Sequence, residues 1–406
     1  MITSYTPTII LCGLLLALGI ATPFVSVFFR KLRLSDQPEE RSADNDAAEG
    51  ESAQQPEAQL PPLSVVIYAH DSARELERHL PAILTQDYAP GFEVIVVEGK
   101  SEDDTDDVLK QLKHKYGHLY TTFVPPSARY MSHNKLAITL GVKAAKNEWV
   151  LLTEPSCHPA STQWLQTMAR NCQDGTDMVM GYANYEDEAS DYKHFERFFF
   201  QRYTLREAQR RTAYRSEPGN LMFRKTMFIE GRSFEGNMKY IRGEYDFIVN
   251  KFARKGNTAT ETFPTAWMTA DDPTKKDWVN HHLFYMETRQ HLKRTLRHRL
   301  PLLADQLFLH LCLLLSVAAL AGGTAWALTL GKGDIRPWCV AAAGAVALVF
   351  AVAMRTFFAK KATRPFSLHI PAWKLVPYEW SLTWRFLYYK MKYRRADKYD
   401  FISHKL

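Results

Sequence analysis

Cysteine is scarce in this chain: five in 406 residues, with no Cys-x-x-Cys pair and no Cys/His metal spacing. Cys12, Cys312 and Cys339 lie in apolar runs, while Cys157 and Cys172 stand alone. A disulfide framework is therefore excluded as the basis of the fold, and a reducing compartment fits. Internal repeats and glycine-rich phosphate loops are absent too, which removes solenoids and Walker-type nucleotide sites. The net charge of +7 is modest and unevenly placed, so charge alone carries no nucleic-acid signature. No basic residue precedes the first apolar run and no small-x-small cleavage site follows it, which favours a retained anchor over a signal peptide.

What is present is enough apolar sequence, 46% of the chain, for one sizeable soluble domain with appendages. Three stretches reach the length of about 20 residues that a bilayer requires. They are "TIILCGLLLALGIATPFVSVFF" followed by "RKLR", "LFLHLCLLLSVAALAGGTAWALTL" at 307–330, and "PWCVAAAGAVALVFAVAM" at 337–354. Basic clusters flank them: Arg30, Lys31 and Arg33; Arg294, Arg297 and Arg299; Arg355, Lys360 and Lys361. If each stretch crosses once, all three clusters fall on one side, and the positive-inside rule makes that side cytoplasmic. The spacing thus predicts an anchor at 1–34, an acidic flexible linker at 35–60, a cytoplasmic domain at 61–290, a basic helix with a membrane hairpin at 291–358, and a basic, aromatic interfacial tail at 359–406.

Within the domain, "LSVVIYA" is a continuous apolar run bounded by Pro-Pro and "HDS", which reads as a buried parallel strand. "FEVIVVEGKSEDDT" and "WVLLTE" read as two more strands, and "ARELERHLPAILTQDY", "DDVLKQLKHKY" and "NKLAITLGVKAAKNE" as helices. Alternation of this kind predicts an α/β domain with a mainly parallel sheet. Ligands of such sheets bind outside the carboxyl ends of the strands, where Tyr68, Glu98 and Glu154 stand. The mixture of aromatics with Arg and Lys at 193–211 is read as an interfacial amphipathic helix rather than a nucleic-acid surface.

Four stretches carry a resemblance: "SVVIYAHDSARELERHLPAILTQDYAPGFEVIVVEGKSEDDT", "HNKLAITLGVKAAKNEWVLLTEPSCHPASTQWL", "EPGNLMFRKTMFIEGRSF" and "RGEYDFIVNKFARKGN". In order and spacing, over about 65–290, the chain resembles the family-2 glycosyltransferases of GT-A fold, in particular the membrane-anchored bacterial kind. The resemblance implies a GT-A-like α/β fold with three transmembrane helices, in a bacterial inner membrane. It implies an inverting, non-processive transfer of sugar from a nucleotide-sugar donor of UDP type to a lipid-linked or polysaccharide acceptor, with a divalent metal, Mg or Mn.

Carried over position by position, it places the donor against Tyr68, Glu98, Lys135 and Glu154, the metal on Glu154, and the acceptor beside Gly219, Asn220 and Trp278. Asp246 is the first choice for the base that takes the acceptor proton and Glu244 the second; the alternative for both is capping of the helix they open. The departures are specific. The family's Asp-x-Asp reads Glu154-Pro155-Ser156, the middle acid of its "GDDD" reads Tyr245, and its interfacial Gln-Lys pair reads His281-His282. An inactive pseudo-glycosyltransferase serving as a binding or scaffolding subunit of a membrane assembly therefore stands as the alternative.

Overall fold

The computed structural model of the chain describes residues 2–36, 60–125, 131–329 and 333–403; most of the acidic segment expected as a tether lies outside them. Along the chain the elements are α1 (Ile2–Val25), β1 (Leu63–Ala69), α2 (Ala73–Leu84), β2 (Phe92–Glu98), α3 (Thr105–Lys115), β3 (Leu119–Phe123), α4 (His133–Ala144), β4 (Trp149–Thr153), β5 (Cys157–Pro159), α5 (Trp164–Ala169), β6 (Met178–Gly181), β7 (Ala183–Tyr185), α6 (Asp191–Arg210), β8 (Leu221–Arg224), α7 (Lys225–Glu230), α8 (Glu244–Phe252), β9 (Thr258–Glu261), β10 (Met268–Ala270), α9 (Lys275–His291), α10 (Leu296–Thr329), α11 (Arg336–Thr363) and α12 (Ala372–Arg395). They form two compact units.

One unit comprises Leu32–Ala189, Thr204–Lys293 and Lys392–Leu406. Its main sheet has the order β3-β2-β1-β4-β8-β6-β9. The β1, β2, β3 and β4 neighbours run parallel, and β1, β2 and β4 carry the unbroken apolar sequences of strands covered on both faces, whereas β8 runs against both β4 and β6. Leu63, Val65 and Ile67 of β1 are buried with Leu76, Leu80 and Ile83 of α2, the apolar stripe of that helix. Burial of each such side chain contributes roughly 1.5–3 kcal/mol. A second sheet, β5-β10-β7, stands beside the β4 exit.

Both ends of this unit depart from the expected boundaries. The linker does not begin at Ser35, whose backbone N–H donates to Thr262 Oγ1 at 2.9 Å, while that of Arg33 donates to Gln209 Oε1 at 3.0 Å. Nor is the whole tail interfacial: Ile402 bridges Tyr240, Ile241 N–H donates to the Phe401 carbonyl at 3.0 Å, and Ser403 N–H donates to the Lys239 carbonyl at 2.8 Å. An edge backbone group left by one segment is taken up by another, which hydropathy cannot foresee.

The other unit comprises Met1–Lys31, Ser190–Tyr203 and Arg294–Met391. Three helical stretches, Tyr5–Val25, Leu296–Thr329 and Arg336–Phe366, are long and apolar enough to cross a membrane. Small residues let them approach: a Cβ on Gly19 would meet the Ala347 backbone at 2.8 Å, and one on Gly344 the Ser316 carbonyl at 2.7 Å. The stretch expected as an interfacial helix is α6, but Phe195, Phe198, Phe199 and Tyr203 are buried, with Phe28 5.4 Å from Phe199. Arg355 is no membrane flank either. It is fully buried in α11, donating to Glu379 at 2.9 and 3.0 Å, to the Thr22 carbonyl at 3.2 Å and to Asp305.

Candidate functional site

The parallel register sets the ends of β1, β2 and β4 level. Ala69 lies opposite Glu98 and Ile67 opposite Thr153, so Tyr68, Glu98 and Glu154 leave three adjacent strands in one row. Neighbouring strands are about 4.8 Å apart and side chains alternate between the two faces of a sheet, so Tyr68 lies on one face and Glu98, level with Ala69, on the other, near Ser101 and Asp106. Glu98 is half-buried; burial pushes its carboxyl above the ordinary range, and the Ser101 hydroxyl pulls it back. Lys100 is exposed. The Tyr68 hydroxyl packs against Gly99, where a Cβ would lie 2.7 Å from it. Burial raises the Tyr68 phenol, Arg242 lowers it, and Glu244 and Asp71 raise it further.

The 217–220 turn closes the β4 side. Thr153 Oγ1 donates to the Gly219 carbonyl at 2.8 Å, and Gly219 has φ +105°, a conformation that side-chain-bearing residues rarely adopt. Asn220 is buried with both ends of its amide occupied: Nδ2 donates to the Tyr182 and Ala266 carbonyls at 3.0 and 2.8 Å, and Oδ1 accepts from Trp164 Nε1 at 3.2 Å. Its place in the site is to hold the turn.

Helix α8 begins at Gly243, φ +94°, where a Cβ would meet Thr288 Cγ2 and Oγ1 at 2.6 Å. That geometry turns the chain so that Glu244, Tyr245 and Asp246 enter the interior together; all three are buried. Their surroundings differ. Asp246 Oδ1 is 3.3 Å from Arg215 Nε, and Arg215 Nη2 is 2.6 Å from Glu217 Oε1, with the guanidinium 4.2 Å from the Tyr285 ring. Burial pushes the Asp246 carboxyl up to about 6, against the pull of Arg215. Glu244 Oε1, by contrast, is buried with no hydrogen-bond partner among the described residues. Burial first, then the charge of Glu154, raises the Tyr245 phenol well above its ordinary range, so the phenol lies within electrostatic reach of the β4 acid.

Lys135 is fully buried and points to the loop before α8: its amine donates to the Arg242 carbonyl at 2.9 Å and to the Tyr240 carbonyl, 5.3 Å from the Phe247 ring. Burial lowers it to about 8, with Glu244 raising and Arg242 lowering it. Ser132 Oγ donates to the next carbonyl, of Ile241, at 2.8 Å. Lys135 thus positions the 240–242 segment rather than lying open to a ligand. Trp278 is buried on α9, its ring 4.8 Å from His282 and 6.1 Å from Tyr185. His281 is exposed and His282 half-buried, on different faces as adjacent helical positions must be.

The structure therefore brings Tyr68, Lys135, Glu154 and Glu244 into mutual electrostatic range through Tyr245 and Arg242, while Asp246 sits in an ion pair of its own. Arg215, Glu217, Arg242 and Tyr245 belong to this site and were not picked out from the sequence as contributors. The available signal was the charge pattern: "RSEPGN" sets a cation and an acid before a Pro-Gly turn, and "IRGEYD" sets a cation before the glycine that opens α8.

Residues 64–231 match the family model described as Glycosyl transferase family 2. Among solved structures the chain is similar to the mannosyltransferase PcManGT from Pyrobaculum calidifontis in complex with GDP-Man and Mn2+, at 16% identity and TM-score 0.49, covering 93% of this chain and 98% of that one. It is also similar to S. aureus TarS 1-349 in complex with UDP, at 12% identity and TM-score 0.39, covering 80% and 92%. TarS 1-349 in complex with UDP-GlcNAc gives 13% identity and TM-score 0.40, with the same coverage. No curated protein matches the chain.

Proposed function

We propose that this chain, whose residues 64–231 form a family-2 glycosyltransferase domain of GT-A-like fold, transfers a sugar from a nucleotide-diphosphate donor to an acceptor at a membrane face. The observation that carries the reading is the row of adjacent strand ends at which Tyr68, Glu98 and Glu154 stand, with buried Glu244 in electrostatic reach of Tyr68. Glu98 would meet the base of the donor, and exposed Arg242 its phosphates.

A divalent cation fits the residues present. Glu154 offers one hard carboxylate oxygen and Ser156 a hydroxyl, both half-buried, and sites for Mg²⁺ or Mn²⁺ commonly complete their shell with phosphate oxygens and water. When bound there, the metal neutralises charge on the departing diphosphate. The chain's own chemistry is the proton transfer. The acceptor hydroxyl oxygen forms a bond to the anomeric carbon, the bond from that carbon to the diphosphate breaks, and the hydroxyl proton passes to a carboxylate. Glu244 suits this better than Asp246, because Asp246 neutralises Arg215 whereas Glu244 Oε1 has no hydrogen-bond partner to give up among the described residues. The acceptor is proposed to be lipid-linked, in keeping with three helices of membrane-spanning length.

One observation favours the pseudo-glycosyltransferase instead. Tyr245 fills the middle position of the acid cluster with a phenol that burial keeps protonated beside Glu154. The two readings part in one experiment: calorimetry of the full chain in detergent with UDP and Mn²⁺. Metal-dependent UDP binding that disappears in Glu154→Ala supports the transferase. Absence of binding by UDP and GDP alike, with or without Mn²⁺, leaves the scaffold.

A further inference from the structure

We propose that His79, His158 and Glu186 form a second metal site, for a transition metal of the zinc class, that fastens α2 to the small β5-β10-β7 sheet. No residue of the donor crevice takes part. One ligand atom from each of the three side chains lies within 4.8 Å of the others. The His79 and His158 rings stack at 4.8 Å with planes 10° apart, which holds the two imidazoles together, and one ring would turn to bring a shared metal into the plane of both. His79 is 2% exposed. His158 Nδ1 is buried with no hydrogen-bond partner among the described residues, an expense that a ligand would remove.

The acids arrive by topology. β7 and β10 run parallel with Tyr185 opposite Ala270, so the next residues, Glu186 and Asp271, leave adjacent strand ends together, and Glu186 N–H donates to the Ala270 carbonyl at 2.9 Å. Two carboxylates side by side call for a cation. Arg78 now supplies one, 2.6 Å from Glu186 and 3.1 Å from Asp271, but its side chain is 54% exposed and free to swing away. Asp271 Oδ1 also lies 2.8 Å from His79 Nε2. A carboxylate in that position fixes the tautomer and the orientation of a ligating imidazole.

Imidazole with carboxylate suits zinc and its neighbours in the first transition row better than magnesium or calcium, which prefer oxygen alone. Zinc bonds of 2.0–2.2 Å put tetrahedral ligand atoms roughly 3.3 Å apart, so side-chain rotation would have to close the present cluster by about 1.5 Å at its widest. The ligands come from a helix, a strand and a loop far apart in the chain, and for this reason no sequence spacing announces them. The consequence is mechanical. His158 lies on β5, just beyond the Glu154–Ser156 turn, and Asp271 N–H donates to the Ser156 carbonyl at 2.9 Å, so the metal would brace that turn from behind.

The test uses the full chain in detergent, stripped with chelator and titrated with Co²⁺ in the absence of nucleotide. Expected are one equivalent of Co²⁺ with visible d–d absorption and a raised Tm, unchanged in Glu154→Ala. His158→Gln and Glu186→Gln should each weaken uptake at least about 10-fold, and Asp271→Asn should do so by about 10–100-fold. Arg78→Ala should tighten it, because a competing cation is gone. Should His158→Gln fail to fold, Glu186→Gln and Arg78→Ala, the latter at an exposed side chain, decide the matter. The proposal is overturned if the stripped protein takes up neither Co²⁺ nor Zn²⁺, if Glu186→Gln binds as the parent does, or if uptake vanishes in Glu154→Ala while surviving in Glu186→Gln.

Discussion

Arg215 and Asp246 form a buried pair, Nε to Oδ1 at 3.3 Å, and that contact changes which acid can act as a base. The folded-state Asp246 carboxyl, pushed up to about 6 by burial, binds its proton more tightly than the unfolded chain, whose ordinary value is 3.8. The native state therefore holds the extra proton between those values. The stability this group contributes is fully present below pH 3.8 and is lost as pH rises through 6. The stability of the parent relative to Asp246→Asn should fall across that window by an amount on the order of 3 kcal/mol. Thermal melts of the two proteins from pH 4 to pH 7 measure it, and parallel curves would contradict a carboxyl raised by burial.

Gly243 and Thr288 leave no room for a side chain, and Gly243 also has a left-handed backbone. Gly243→Ala should cost roughly 1–2 kcal/mol from conformation and a further 1–3 kcal/mol from overlap with Thr288. Because the strain falls on the residue before Glu244, transfer should drop more steeply than UDP affinity. Equal losses in the two measurements would detach this glycine from the base.

Lys135 serves the same segment from the other side. Lys135→Met leaves the buried Tyr240 carbonyl and the part-buried Arg242 carbonyl without their donor, at about 1–3 kcal/mol for the buried one. Melting temperature should fall, and kcat with it, while KM for the donor changes little. A rise in KM alone would return Lys135 to direct contact with the donor phosphates.

Arg355 places the membrane unit's charge where hydropathy counting does not look for it. Removing one partner of a buried ion pair costs about 3–5 kcal/mol, so Arg355→Met or Glu379→Gln alone should reduce the yield of folded, detergent-extracted protein. The triple change of Arg355, Asp305 and Glu379 to apolar residues should recover much of it. Failure of the triple variant together with health of the single ones would contradict the account.

These predictions mark where the sequence was informative. Strands β1, β2 and β4 were legible because both of their faces are covered, which leaves an unbroken apolar run with turn residues at each end. The strand-end positions of Glu98 and Glu154 were legible with them, but the face on which each side chain leaves was not, because register decides it. The identity of the base was not, because "GEYD" offers two acids and only the tertiary partner Arg215 separates them. The docking of Ile402 on Tyr240 and the burial of Arg355 were hidden for the same reason: each is a contact between residues more than a hundred positions apart or between a helix and the inward side of another. Helix α6 was misread because rings interleaved with cations look alike whether they face lipid or pack in a core.

The central claim, that Glu244 is the base of a nucleotide-sugar transferase, is tested most directly by donor turnover in Glu244→Gln. The full chain in detergent, given Mn²⁺ and a donor that the parent turns over, should bind UDP as the parent does while its kcat falls by about 10²–10⁴-fold, the contribution of a positioned general base. A Glu244→Gln protein that turns over the donor at the parental rate would contradict the account.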